Sequence, residues 1–139
     1  VRTAEYLLAL DYGEKRVGVA IAHVVARLPR PLLTLPNSET LLADIAKLVA
    51  QEDVALVVVG LPRGMDGGYT AQTRLAEAFS QQLAAVLTVP VELVDETLTS
   101  VDAEAVLGGR PRHKGEIDAL AAAYILERYL ADHPAGETR

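Results

Sequence analysis

Three acidic residues stand where apolar runs end or begin. Asp11 closes the run Tyr6 to Leu10, Glu96 follows the run Val91 to Val94, and Asp118 sits early in the last apolar-striped segment. Carboxylates brought together away from bulk water repel one another, and protonation, basic partners or bound cations relieve the repulsion. Hard oxygen donors suit magnesium or manganese. Two such ions roughly 4 Å apart can activate a water and stabilise the leaving oxygen of a phosphodiester. Asp95, beside Glu96, is a further candidate ligand. Taken singly, each acid also fits a plain role: Asp11 before Tyr12-Gly13 as a turn residue, Asp118 as a partner of a helix dipole, Asp95 or Glu96 as solvated loop acids.

Basic side chains offer the complementary chemistry. The stretch Leu107 to Gly115 carries Arg110, Arg112, His113 and Lys114 without an acid, and Lys15, Arg16 and Arg63 are further candidates for contact with a phosphate backbone, as is the pair Arg27 and Arg30. The loop Gly60 to Gly68 has the glycines for close backbone approach to a phosphate but matches neither the Walker nor the dinucleotide pattern. The whole chain is acidic, with 13 Lys and Arg against 19 Asp and Glu and a formal net charge of −6. Bulk charge therefore opposes nucleic-acid binding, and any such binding must rest on local clusters.

These residues need a scaffold. Tyr6 to Leu10 and Val17 to Ala22 read as a strand pair at hairpin distance, and Leu32 to Leu35 as a short third strand at a sheet edge. Leu41, Leu42, Ile45, Leu48 and Val49 recur at helical spacing, giving a helix over about Ser38 to Glu52 with Asn37 or Ser38 as cap. The β-branched run Val54 to Gly60 reads as an interior strand covered on both faces. A second helical stripe, Leu75, Ala76, Phe79, Leu83 and Val86, precedes the strand Val91 to Val94. Thr99 with Asp102 fits a capping box opening a helix to about Leu107. The last helix is expected over Glu116 to Leu130, with Asp118 on the same face as Ala121, Ala122, Ile125 and Tyr129, and with a flexible tail over 133–139.

The resulting order predicts an α/β fold: a five-stranded mixed sheet, an antiparallel three-strand meander plus two parallel strands, with helices on both faces. Asp11 and Glu96 meet in that fold only if their strands are parallel neighbours. The 139 residues fit a single domain. Absence of cysteine excludes disulfides, thiolate zinc sites and a cysteine nucleophile, and points to a reducing cytoplasm. No apolar run reaches the length of a membrane span, so no membrane partner is expected.

Four blocks together resemble one family. They are Leu10-Asp11-Tyr12-Gly13-Glu14-Lys15-Arg16-Val17-Gly18-Val19-Ala20, Val59-Gly60-Leu61-Pro62 with Met65-Asp66-Gly67, Val94-Asp95-Glu96-Thr97-Leu98-Thr99, and Ile117-Asp118-Ala119-Leu120-Ala121-Ala122. In this order they resemble the YqgF/RuvX family, over almost the whole chain. The resemblance implies an RNase H-like fold related to Holliday-junction resolvases and catalytic acids at Asp11, Glu96 and Asp118. Members are described as candidate Holliday-junction resolvases and as nucleases maturing the small-subunit ribosomal RNA precursor, which leaves branched DNA and RNA both open as substrates. The chain departs from the family pattern at Thr97, where a basic residue is usual, and at Ala22-His23, where Ser-Asp is common. Arg63 or Arg112 is then left to supply the phosphate contact. Two other function classes compete: an RNA-binding or ribosome-assembly module that keeps the fold without catalysis, and a phosphotransferase of the actin and sugar-kinase type, which 139 residues are too few to build. Resolution of two strands would favour a symmetric homodimer.

Overall fold

The structure is a computed structural model that describes residues 4–95 and 114–134. Its elements are β1 (Tyr6–Tyr12), β2 (Arg16–His23), β3 (Arg30–Pro36), α1 (Leu41–Gln51), β4 (Val54–Leu61), α2 (Ala71–Val86), β5 (Val91–Asp95) and α3 (Lys114–Asp132). The sheet order is β3-β2-β1-β4-β5. β2 pairs antiparallel with β1 and β3, while β4 runs parallel to both β1 and β5. This is the mixed sheet expected from the sequence. The helix expected from Thr99 lies outside the described residues.

Alternation along the strands divides the core in two. Leu8, Leu10, Val17, Val19, Ile21, Val57 and Val59 face α1 and α2, packing on Ile45, Phe79 and Leu83. The other face carries Leu7, Ala9, Ala20, Ala22, Leu56 and Val58 and packs on Ala122, Ile125, Leu126 and Tyr129 of α3. The first face is bulky and β-branched. The second is lined by small residues at its centre, which lets α3 lie close to the sheet.

Three boundaries differ from expectation for local physical reasons. Helix α1 starts at Leu41 with Thr40 as its N-cap, without a side-chain cap bond, because the Leu41 amide donates to the Ser38 carbonyl and spends residues 38–40 on a turn. In α2, Leu75 and Val86 are exposed, while Thr73 and Ser80 turn inward. The rotation is fixed by hydrogen bonds: the Thr73 hydroxyl donates to the Pro62 carbonyl and shares a reciprocal cap with Thr70, and Ser80 donates to the Glu77 carbonyl. Finally, the chain remains fixed through His133, whose ring stacks on Tyr129 with centroids 4.1 Å apart. Arg27, at φ 57°, donates to the carbonyls of Leu130 at 2.8 Å and His133 at 2.6 Å. Arg27 is thus occupied in closing the end of α3. Among the described residues, no helix is long and apolar enough to cross a membrane.

Candidate active site at the carboxyl rim of the sheet

Asp11 lies near the end of β1, on the α3 side with Leu7 and Ala9, and its register partner on β2 is Gly18. That glycine is where α3 touches the sheet: a Cβ at Gly18 would overlap the main-chain carbonyl of Asp118. Any side chain would lift the helix, so Gly18 sets the height at which Asp118 meets Asp11. Asp118 stays near the sheet because Ala121, Ala122, Ile125 and Tyr129 on the same helical face are buried.

The electrostatics of this corner follow from that packing. The Asp11 carboxyl is pushed up to about 7, first by burial and second by the neighbouring Asp118 carboxylate. A carboxyl group in such a place takes up a proton unless a cation is supplied. Asp118 accepts a hydrogen bond from Arg16 Nε at 2.8 Å, across the mouth of the β1–β2 hairpin. Arg16, expected to meet phosphate, is therefore engaged with an acid. Lys15 stands exposed at the hairpin turn.

β5 is not beside β1. β4 lies between them, so β1 and β5 are not the parallel neighbours that a meeting of Asp11 with Glu96 was expected to require. Glu96 itself lies outside the described residues. Asp95 pairs with Leu61, and alternation from buried Val94 turns it to the α2 side, away from Asp11. There Arg63 Nε stands 3.6 Å from Asp95 Oδ2, and the Arg63 guanidinium lies 5.0 Å from the centre of the Tyr69 ring. Asp95 is thus a partner of Arg63 and not of the Asp11 corner. Arg110, Arg112 and His113 lie outside the described residues, as does the side chain of Lys114.

The loop after β4 is internally closed. Gly64 donates to the Gly68 carbonyl, Gly67 to the Gly64 carbonyl, and the Gly68 amide to Asp66 Oδ1. Gly67, at φ 83°, supplies the left-handed residue that the turn requires. The amides of Gly64, Gly67 and Gly68 are engaged within the turn, which argues against a phosphate cradle built on these glycines.

What the corner can do is hold a hard cation. Its donors are all oxygen, which suits magnesium or manganese better than zinc. Among the described residues, no three acids or histidines cluster closely enough to complete a metal site. The Asp11 and Asp118 pair therefore needs a third donor from elsewhere, and Glu96 directly follows β5. Sequence reasoning passed over Gly18, although the small series Gly18, Ala20 and Ala22 on one strand face was a visible sign of close packing. It also passed over Tyr69, which no periodicity marks.

A protein of Chloroflexus aggregans, provisionally named a pre-16S rRNA nuclease, is 48% identical over 130 residues, covering 89% of this chain and 92% of its own. A protein of Paraburkholderia phymatum with the same provisional name is 42% identical over 126 residues, covering 89% of this chain and 83% of its own. Among solved structures, Thermus thermophilus RuvC in complex with Holliday junction substrate superposes with a TM-score of 0.60 at 19% identity, covering 92% of this chain and 96% of that one. That likeness is one of fold, and the fold is RNase H-like. The family model described as RuvX, Holliday junction resolvase, matches residues 5–132, and with relatives of this similarity the chain belongs to the RuvX (YqgF) family.

Proposed function

We propose that this chain is a divalent-metal-dependent endonuclease acting on structured nucleic acid, with Asp11, Glu96 and Asp118 as its metal-holding acids. Family membership makes it a hydrolase of phosphodiester bonds. The observation that carries the finer reading is the convergence of Asp11 and Asp118 on one face of the rim, with Asp11 pushed up to about 7. When bound, magnesium or manganese would supply the activated water and the charge stabilisation of the leaving oxygen. The chain's own residues do the positioning. Gly18 sets the spacing of the two acids, Arg16 orients the Asp118 carboxylate, and the apolar α3 interface limits water around Asp11.

The relatives' names favour the small-subunit ribosomal RNA precursor over a four-way DNA junction as the substrate. Lys15, Arg63 and the basic segment Arg110, Arg112, His113 and Lys114 would meet the phosphate backbone, giving a binding constant that falls steeply with salt. A single nuclease domain over residues 1–139 accounts for all the elements, and work on two strands of a junction would call for a symmetric dimer.

The test offers precursor RNA, a four-way junction and a flap side by side, with magnesium or manganese, and with Asp11→Asn as control. Cleavage of the RNA that the Asn variant loses while still binding supports the reading. Binding without cleavage by either protein would reassign the chain as an RNA-binding assembly module.

A further inference from the structure

On the α2 side of the same rim, an aromatic ring is held in place and left uncovered. Tyr69 follows the closed loop after β4, and it is 53% exposed. Its hydroxyl donates to Glu77 Oε2 at 2.5 Å, which ties the ring to α2. The Arg63 guanidinium lies 5.0 Å from the ring centre, and Arg63 is itself drawn to Asp95 at the end of β5. The loop that carries both residues is pinned at its far end by the Thr70 and Thr73 cap and by the bond from Thr73 to the Pro62 carbonyl. An exposed tyrosine with its hydroxyl and one flank both fixed loses little side-chain freedom when something stacks on it.

A second observation points to a ligand. Among the described residues, the Arg63 Nε atom is buried without a hydrogen-bond partner, since 3.6 Å to Asp95 is too long for one. Buried donors are ordinarily satisfied, so Arg63 is held only by a loose ion pair, and its side chain, 25% exposed beside a flat ring, can turn to an acceptor delivered with a stackable group. A nucleotide has both parts: oxygen acceptors on the phosphate and sugar, and a π-face on the base.

We propose that Tyr69 and Arg63 form a nucleobase subsite, in which an unpaired base stacks on the Tyr69 ring while Arg63 meets that nucleotide's phosphate or sugar. The subsite rests on the nuclease reading above and adds to it a preference for substrates with splayed single-stranded nucleotides beside the cut. Asp11 on β1 and Asp95 on β5 are separated by two strand spacings, roughly 10 Å. They also face opposite sides of the sheet. A strand crossing the end of β4 would pass from the acid corner to the ring, so the stacked base belongs to a nucleotide displaced from the scissile phosphate. Every base has a π-face, so the subsite selects unpairedness rather than sequence.

The experiment measures binding of two fluorescent RNA probes by the Asp11→Asn protein with magnesium present. One is a continuous duplex, and the other is the same duplex with a short unpaired bulge containing 2-aminopurine. Adding Tyr69→Ala to this background should weaken bulge binding about tenfold and abolish the 2-aminopurine emission change. Duplex binding and the salt slope should be unaltered, and Tyr69→Phe should restore the bulge preference. Thermal melting of the Ala variant checks that the fold survives. Equal affinity of the Ala variant for the bulge, or equal loss on both probes, overturns the subsite and leaves the nuclease reading standing. Failure of the parent protein to bind either probe overturns both.

Discussion

The two sides of the carboxyl rim are built in opposite ways. On the α3 side, two acids converge where a helix presses on a glycine, and the cost of placing charge there is written into the packing. On the α2 side, Arg63, Tyr69, Glu77 and Asp95 are joined by polar and stacking contacts in partial or full reach of water. The first arrangement fixes spacing through a close main-chain contact and strains against its own charge. The second fixes orientation while leaving a surface open. A chemical step asks for the former, and recognition of a long flexible substrate asks for the latter.

Substitutions on the α3 side should therefore act on chemistry and stability together. Asp11→Asn is expected to reduce cleavage by roughly a thousandfold or more, with binding largely kept. The same change should stabilise the metal-free protein at alkaline pH. The folded Asp11 holds its proton up to about 7, whereas the unfolded chain releases it near the ordinary aspartate value of 3.8, so between these values the native state binds the extra proton and stability falls as pH rises. Above about 7 the penalty is complete, on the order of a few kcal/mol. Melting curves at pH 5 and pH 8 should show the Asn variant gaining at the higher pH, and magnesium should narrow that gap by stabilising the wild type. A wild type whose melting temperature is flat across this range would break the comparison at its root.

Gly18→Ala should cost about 3 kcal/mol, because the added methyl meets a helix carbonyl and not a yielding side-chain end. Chemical denaturation reads the loss, and cleavage should fall further than stability does, since the two acids are pushed apart. Thr73→Val removes the half of the reciprocal cap in which the Thr70 amide donates to the Thr73 hydroxyl, together with the bond to the Pro62 carbonyl, and about 1–2 kcal/mol should go with them. Arg16→Gln should cost less, about 1 kcal/mol or under, because both partners of that pair are partly in water. Its loss should nevertheless be larger at pH 8 than at pH 5, because Asp11 has by then given up its proton. Smallest in energy, Arg112→Ala should lower the salt slope of RNA binding by about one unit while leaving the melting temperature in place.

What could be read from the sequence follows the range of the interactions involved. The hairpin of β1 and β2, the buried run of β4 and the helical face of Asp118 are local patterns, and all are found where the alternation and the helical period put them. The inward turn of Asp118 was also anticipated, from an acid on an otherwise apolar helix face. Strand order was not legible in the same way. No pattern within β1 or β5 says that β4 lies between them, because order is decided by crossover connections and layer packing. The rotation of α2 escaped for a related reason: Thr73 turns inward to reach a carbonyl eleven residues earlier, and a hydrophobic stripe cannot register that bond. Arg27 looked like a surface cation available to phosphate until the end of α3, 103 residues later, placed two carbonyls against it.

The ion pair between Arg16 and Asp118 spans 102 positions of the chain. During synthesis the β-hairpin that bears one acid leaves the ribosome long before the helix that bears the other, and pairing over so great a separation is slow to form. A nascent chain consequently lacks the Asp11 and Asp118 corner until α3 has emerged and settled on Gly18. Any activity that rests on that corner is thereby tied to the docking of α3, and not to the folding of the hairpin alone.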